Sequence, residues 1–207
     1  HRKYREQAQN DWSVLTDLAE SMQYGRTREI IRRMDAPLFG VDLHWVVYAQ
    51  GALETLRLIK LLHPESLTVV GGFTASYFAE ELIREYPFVD FVIRGDSAEE
   101  PLRQLMAHLT GKRGAPALRD IPNLTWKDRS GEVHVNPHTY RPANLDHVML
   151  DYRYVVRAAV RDMDMSNYVP FKDWTDYPIM AALSCRGCTQ SCVICGGSAA
   201  AFKQMHG

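Results

Sequence analysis

No cysteine lies outside residues 185–195 of this 207-residue chain, so no disulfide framework staples distant loops together. No apolar run is long enough for a membrane-spanning helix and no secretory leader is visible, which makes a reducing cytoplasm the expected compartment. Charge of one sign is not in excess: 24 basic against 25 acidic residues leave a net charge of -1, so neither nucleic acid nor an anionic membrane has an electrostatic claim on it. The dinucleotide fingerprint G-x-G-x-x-G and the phosphate-binding P-loop are both missing, which argues against nicotinamide, flavin and nucleoside triphosphate chemistry. Internal repeats and low-complexity tracts are absent as well. What remains is an ordinary composition, 46% hydrophobic, enough for one good core or one domain and part of another.

The cysteines that are present crowd into Ser184-Cys185-Arg186-Gly187-Cys188-Thr189-Gln190-Ser191-Cys192-Val193-Ile194-Cys195-Gly196-Gly197. Thiols packed this closely suggest a metal centre. Two ligand sets can be drawn. All four cysteines could form two knuckles around one zinc, although structural zinc sites usually separate their pairs by about a dozen residues or more. Alternatively Cys188-x3-Cys192-x2-Cys195 could hold three irons of a [4Fe-4S] cube, leaving Cys185 aside and the fourth iron open to a small molecule.

Upstream, a repeated rhythm begins at Pro37. Apolar strands are expected at Leu38–Val41, Leu67–Val70 and Val89–Ile93, each followed by a loop and then a helix. The helices are expected over about Ala52–Leu62, with Leu53, Leu56, Ile59 and Leu62 apolar, then on Phe78, Leu82 and Tyr86 up to Pro87, and lastly on Leu102, Leu105, Met106 and Leu109. Ser97-x-x-Glu100 fits a capping box for the third. Strand–loop–helix at this spacing implies right-handed βαβ units and an α/β fold with a Rossmann-like parallel sheet. Such sheets bind ligands beyond the carboxyl ends of their strands, here the loops Asp42–Gly51, Gly71–Thr74 and Gly95–Ser97. Gly71-Gly72 would let the backbone press against a flat ligand, though a tight βα turn asks for glycine in any case.

Two stretches resemble known families. Gly187 to Cys195, entered by the apolar strand Ile179–Leu183 and Arg186-Gly187, closely resembles the cluster loop of the radical S-adenosylmethionine (SAM) superfamily. Val69-Val70-Gly71-Gly72-Phe73-Thr74-Ala75, followed by Val89-Asp90-Phe91-Val92-Ile93-Arg94-Gly95-Asp96-Ser97-Ala98-Glu99-Glu100-Pro101, looks like the cobalamin-binding domain that precedes the barrel in one subclass of that superfamily. The resemblance implies that Cys188, Cys192 and Cys195 ligate a [4Fe-4S] cluster whose open iron chelates S-adenosyl-L-methionine, with room made for its methionine part by Gly196 and Gly197. It implies a cobalamin on the strand ends, bound around Gly71, Gly72, Thr74, Gly95 and Asp96. The implied activity is cleavage of SAM to a 5′-deoxyadenosyl radical, serving methyl transfer or rearrangement of a small-molecule substrate, with electrons from a flavodoxin or ferredoxin. Asp42-Leu43-His44 is similar to the Asp-x-His segment that supplies a cobalt ligand in some cobalamin proteins. Val47 stands where those have glycine, so His44 is read as a crevice histidine.

Elsewhere, residues 1–35 read as amphipathic helices, with Ile30, Ile31 and Met34 apolar after Gly25. Residues 1–112 make the cobalamin-binding domain with its first strand missing. Residues 113–177 make a linker carrying a β-hairpin over 123–135, and 178–207 begin the radical SAM barrel with a helix over Ala199–Met205. The aromatics of 151–177 pack as a connector, and His134, His138 and His147 are surface or packing residues. Both ends of the chain look cut, and a barrel takes about 200 residues, so these residues alone are expected not to turn over. The competing reading is a non-enzymatic zinc-knuckle module attached to a Rossmann-like domain.

Overall fold

The computed structural model describes residues 25–142 continuously and, beyond them, single positions among 153–163, 176, 189–192 and 199. The chain divides into two compact units, residues 1–140 with 205–207 and residues 141–204. The second contains few described positions; all five strands and the helices packed on them belong to the first.

Helix α1 (Gly25–Arg33) leads into strand β1 (Leu38–Asp42). A 3₁₀ turn over Val46–Tyr48 runs directly into α2 (Ala49–Leu62). Strand β2 (Leu67–Gly71) is followed by two short helices, α3 (Phe73–Tyr77) and α4 (Ala79–Glu85). Strand β3 (Phe91–Ile93) then precedes α5 (Glu99–Leu109). A hairpin of β4 (Leu124–Lys127) and β5 (Val133–Val135) closes the series.

All five strands form one sheet in the order β1-β2-β3-β4-β5. The pairs β1–β2 and β2–β3 are parallel, with Asp42 opposite Gly71 and Val70 opposite Val92. The Rossmann-like parallel arrangement expected from the strand–helix rhythm is therefore present. The hairpin does not hang free: β4 pairs antiparallel with β3, through Val92 and Thr125, and carries the same sheet outward. Antiparallel addition requires only a return of the chain, and the residues between α5 and β4 supply it.

Alternation along the strands sorts the core. Val70 and Val92 face a cluster with Leu53, Leu56, Ala75, Leu82 and Ile83, so α2, α3 and α4 cover that face. Val69, Phe91 and Ile93 face Leu105, Ile121 and Leu124, which places α5 on the other. Each such aliphatic side chain, fully buried, contributes about 1.5–3 kcal/mol to folding. A third cluster seats α1, through Ile31, against Phe39, Leu58 and Ile59.

Several local expectations give way. The helix after β2 breaks at Phe78, whose φ -109 and ψ 29 are not helical. Phe78 is exposed and stacks edge-on with Tyr77, while Ala79, Leu82 and Ile83 turn inward. On α5 only Pro101 and Leu105 are buried, and Leu102 is exposed. The capping box is not formed: Ala98 is the N-cap without a side-chain bond, and the Glu100 carboxylate binds Arg103 and Gln104 within its own helix. On α1, Ile31 is buried but Ile30 stays half exposed, as does Met34 just past its end. The strand expected at Ile179–Leu183 lies outside the described residues, as do the helix expected over Ala199–Met205 beyond Ala199, which is helical, and the aromatics of 151–177.

Candidate functional site: a crevice at the carboxyl ends of the parallel strands

Parallel pairing brings the loops after β1, β2 and β3 to one edge of the sheet, and hydrogen bonds lock them together. The Leu43 amide donates to the Gly71 carbonyl at 2.8 Å, the Ala75 amide to the Leu43 carbonyl at 3.1 Å and the Thr74 amide to the His44 carbonyl at 3.3 Å. The Thr74 hydroxyl donates to the same His44 carbonyl at 3.0 Å. The half-buried His44 ring lies 4.3 Å from that of Phe73 and 5.3 Å from that of Trp45, centroid to centroid.

The paired glycines differ. Among the described residues, a Cβ on Gly71 would meet nothing nearer than the Ile93 carbonyl at 3.9 Å. One on Gly72 would sit 2.7 Å from the Leu43 carbonyl carbon and oxygen and 2.8 Å from the His44 nitrogen, and its φ is +106. The chain itself occupies the space that Gly72 leaves. Gly95, at φ +103, is similar: a Cβ there would lie 2.8 Å from Nε2 of His138. Both glycines are accounted for by conformation and intrachain contact. Gly71 and Thr74 are half-buried at this edge of the sheet, and Asp96 is exposed.

Ser76 joins the second and third loops. Its hydroxyl donates to the Gly72 carbonyl at 2.7 Å and accepts the Gly95 amide at 2.9 Å. Nothing in the sequence singled out this residue, since a serine within a short helix carries no motif. Two asparagines were equally silent. Asn123, fully buried at φ 63, exchanges hydrogen bonds with the backbone of Tyr140, its side-chain amide donating at 3.0 Å and its carbonyl accepting at 3.1 Å. Asparagine's tolerance of the left-handed region, after Pro122, was the available signal. Asn136 is buried and donates to the carbonyls of Leu118 at 2.6 Å and Ile121 at 2.8 Å. Arg94 donates to the Asn136 carbonyl, and burial holds its guanidinium below the ordinary value, offset in part by the charge of Glu80.

On the hairpin, His134 stacks on Trp126 at 4.6 Å and contacts Asp128 at 2.9 Å. Glu132 joins them as a candidate cation cluster. The Asp128 carboxylate, however, also accepts the Ser130 and Glu132 amides at 2.8 and 3.0 Å, which closes the turn.

Of the cluster cysteines only Cys192 is described: it is exposed and its thiol is free. Its loop is held by the Ala199 amide donating to the Gln190 carbonyl at 2.9 Å. Cys185, Cys188, Cys195, Gly196 and Gly197 lie outside the described residues, as does His147.

No family model matches the chain. It is 24% identical over 199 residues to an uncharacterised methyltransferase of Pyrococcus horikoshii, covering 96% of this chain and 40% of that protein. With the cytidylyl-2-hydroxyethylphosphonate methyltransferase of Streptomyces wedmorensis it shares 23% over 192 residues, 81% of this chain and 34% of the relative. The anaerobic magnesium-protoporphyrin IX monomethyl ester cyclase of Rubrivivax gelatinosus is 22% identical over 144 residues, 70% of this chain and 24% of the cyclase. Among solved structures, the cobalamin-dependent S-adenosylmethionine radical enzyme OxsB, with aqua-cobalamin and S-adenosylmethionine bound, aligns at a TM-score of 0.46 and 23% identity, over 58% of this chain and 17% of OxsB. The chain thus spans two fifths or less of the length of these relatives.

Proposed function

We propose that the chain belongs to the cobalamin-binding radical SAM superfamily, that the carboxyl edge of its sheet takes a corrinoid and that the cysteine loop takes a [4Fe-4S] cluster; its likeness to two methyltransferases and a cyclase supports that reading. Those relatives are methyltransferases and a cyclase, which supports reading the whole protein as an enzyme. The reaction is methyl transfer to, or ring closure on, a small-molecule substrate.

The observation that carries the corrinoid half is the carboxyl edge of the parallel strands. Three parallel strands deliver three loops to one edge, and the turn beside them leaves apolar side chains in solvent. Gly71, unlike Gly72, is not pressed by backbone: a Cβ there would meet only the Ile93 carbonyl at 3.9 Å. Thr74, its hydroxyl donated to the His44 carbonyl, and the exposed Asp96 stand beside it. Gly72 and Gly95 act indirectly, by letting the loops nest. The cluster half rests on thiol chemistry: Cys192 presents an accessible sulfur, and Cys188 and Cys195 complete a set of three thiolates that leaves one iron free for the amino and carboxylate groups of S-adenosylmethionine. Gly196 and Gly197 leave space for that cofactor's methionine part.

When bound, the cluster and S-adenosylmethionine supply a carbon radical, and the corrinoid supplies or accepts a methyl group. The chain's own task is to bind, to exclude water and to hold one iron short of a protein ligand. A flavodoxin or ferredoxin delivers the electron, in a reducing compartment consistent with accessible thiols. No helix among the described residues is long and apolar enough to cross a membrane.

Anaerobic reconstitution of the full chain with iron and sulfide tests the reading. The expected product is brown, absorbs near about 400 nm as iron–sulfur clusters do, and is lost in Cys192→Ala. A colourless protein holding one zinc on all four cysteines would refute it and favour the zinc-knuckle module.

A further inference from the structure

The hairpin carries a mixed donor set that lies apart from both the strand-end loops and the cysteines. Asp128 follows β4, Glu132 precedes β5 and His134 lies within β5. Each offers one ligand atom, and the three atoms lie within 4.8 Å of one another.

The two oxygens of Asp128 divide their work. Oδ1 closes the turn: it accepts the Ser130 amide at 2.8 Å, the Ser130 hydroxyl at 2.6 Å and the Glu132 amide at 3.0 Å. Oδ2 takes no part in the turn and faces Nε2 of His134 at 2.9 Å. Two donors about 2.1 Å from one metal ion, at right angles, stand about 3.0 Å apart, so a single ion can take both where they are. The ion replaces the shared proton, and the imidazole stays neutral with its proton on Nδ1.

Both donors are held in advance. The turn amides fix the carboxylate, and the Trp126 ring backs the imidazole at 4.6 Å. Trp126 is tied in turn by its indole N–H to Oδ1 of the buried Asn136 at 3.3 Å. A hydrogen-bonded carboxylate and an oriented imidazole are what metal sites ask of their surroundings.

Glu132 supplies the third donor. It is exposed, and among the described residues its carboxylate has no hydrogen bond or ion pair. Lys127 and Arg129, the basic neighbours, make no ion pair with it or with Asp128 there. Two carboxylates this close repel each other, and a neutral imidazole does not offset them. A dication would.

We propose that Oδ2 of Asp128, Nε2 of His134 and the Glu132 carboxylate bind a divalent ion of the zinc class, clipping the two strands of the hairpin together at its turn. One imidazole and two carboxylates favour zinc and its first-row neighbours over calcium, which takes oxygen donors. The site stands or falls independently of the corrinoid and cluster readings.

The probe is zinc chloride, added to the full chain with its thiols carbamidomethylated so that the cysteine loop cannot compete. The signals followed are the NMR resonances of the Trp126 indole N–H and the His134 ring. Both are expected to shift saturably, half-complete below about 1 mM zinc. Calcium chloride at the same concentration should leave the His134 ring unmoved. Glu132→Gln removes the free carboxylate but no bond of the turn, so its metal-free Trp126 signal should match the parent and its zinc affinity should fall about tenfold or more. Glu65→Gln, an exposed acid outside the hairpin, should bind as the parent does. No shift up to about 10 mM zinc, or parental affinity in Glu132→Gln, overturns the site. Equal responses to calcium and zinc would mean a diffuse negative patch and overturn it as well.

Discussion

Gly71 and Gly72 are neighbours in sequence, and the structure assigns them opposite sensitivities. In Gly72→Ala the new Cβ would lie 2.7 Å from the Leu43 carbonyl, a backbone group with no rotamer to yield. Alanine at φ +106 adds strain of about 1–3 kcal/mol. Relieving the clash moves Leu43-His44 away and breaks the bonds donated by Thr74 and Ala75, at about 1 kcal/mol each. The sum, about 3–5 kcal/mol, is a large part of the 5–15 kcal/mol typical of a folded domain. Gly71→Ala meets only van der Waals contact and reduces unfolded-state freedom, so it should fall within about 1 kcal/mol of the parent, on the stabilising side. Urea denaturation of the cofactor-free chain followed by circular dichroism measures both, and amide exchange at Thr74 and Ala75 reports the loop directly. If Gly72→Ala lies within about 1 kcal/mol of the parent, or if Gly71→Ala is the costlier change, the nesting of the two loops is not what fixes glycine at position 72.

Two further outcomes concern the polar clasps. Asp90 accepts the Thr68 amide at 2.7 Å and Lys60 Nζ at 2.7 Å, so Asp90→Ala leaves a fully buried amide unpaired and should cost about 2–3 kcal/mol, read as a lowered denaturation midpoint and faster exchange at Thr68. On the hairpin, His134 and Ser130 hold the Asp128 carboxyl well below the usual carboxylate range. A depressed folded value means that the contribution is complete above the unfolded value of about 3.9 and fades as pH falls below it. The Trp126 and His134 ring resonances should therefore keep their stacked positions through about pH 4 and shift only on acidification well below it, where the folded carboxyl itself takes up a proton; an Asp128→Asn chain should show no such step.

Much of the α/β frame was legible because it rests on local signals. Three apolar runs of strand length, spaced by helical periods, marked the parallel part of the sheet nearly to the residue, and Asp128-Arg129-Ser130-Gly131 marked the hairpin turn. What the sequence concealed is tertiary. The space at Gly72 belongs to Leu43 and His44, in the loop of the preceding strand, and no local pattern announces such a neighbour. Ser97 looked like a cap because Glu100 comes three residues later, yet the helix starts late and Arg103 claims that carboxylate. Leu102 fitted a helical stripe, but the stripe that meets the sheet runs through Leu105 and Leu109, and Leu102 faces away from it. At the crevice, the loops were identifiable from strand ends alone, whereas the exposure of Trp45 to Tyr48 could not be, since apolar residues are expected to hide.

The hydroxyl of Ser76, shared between Gly72 and Gly95, makes two otherwise separate segments a single mechanical part. A push on either is felt by both. Evolution cannot retune one without disturbing the other, so substrate diversity in such a scaffold would have to be written elsewhere, into side chains that no second loop leans upon.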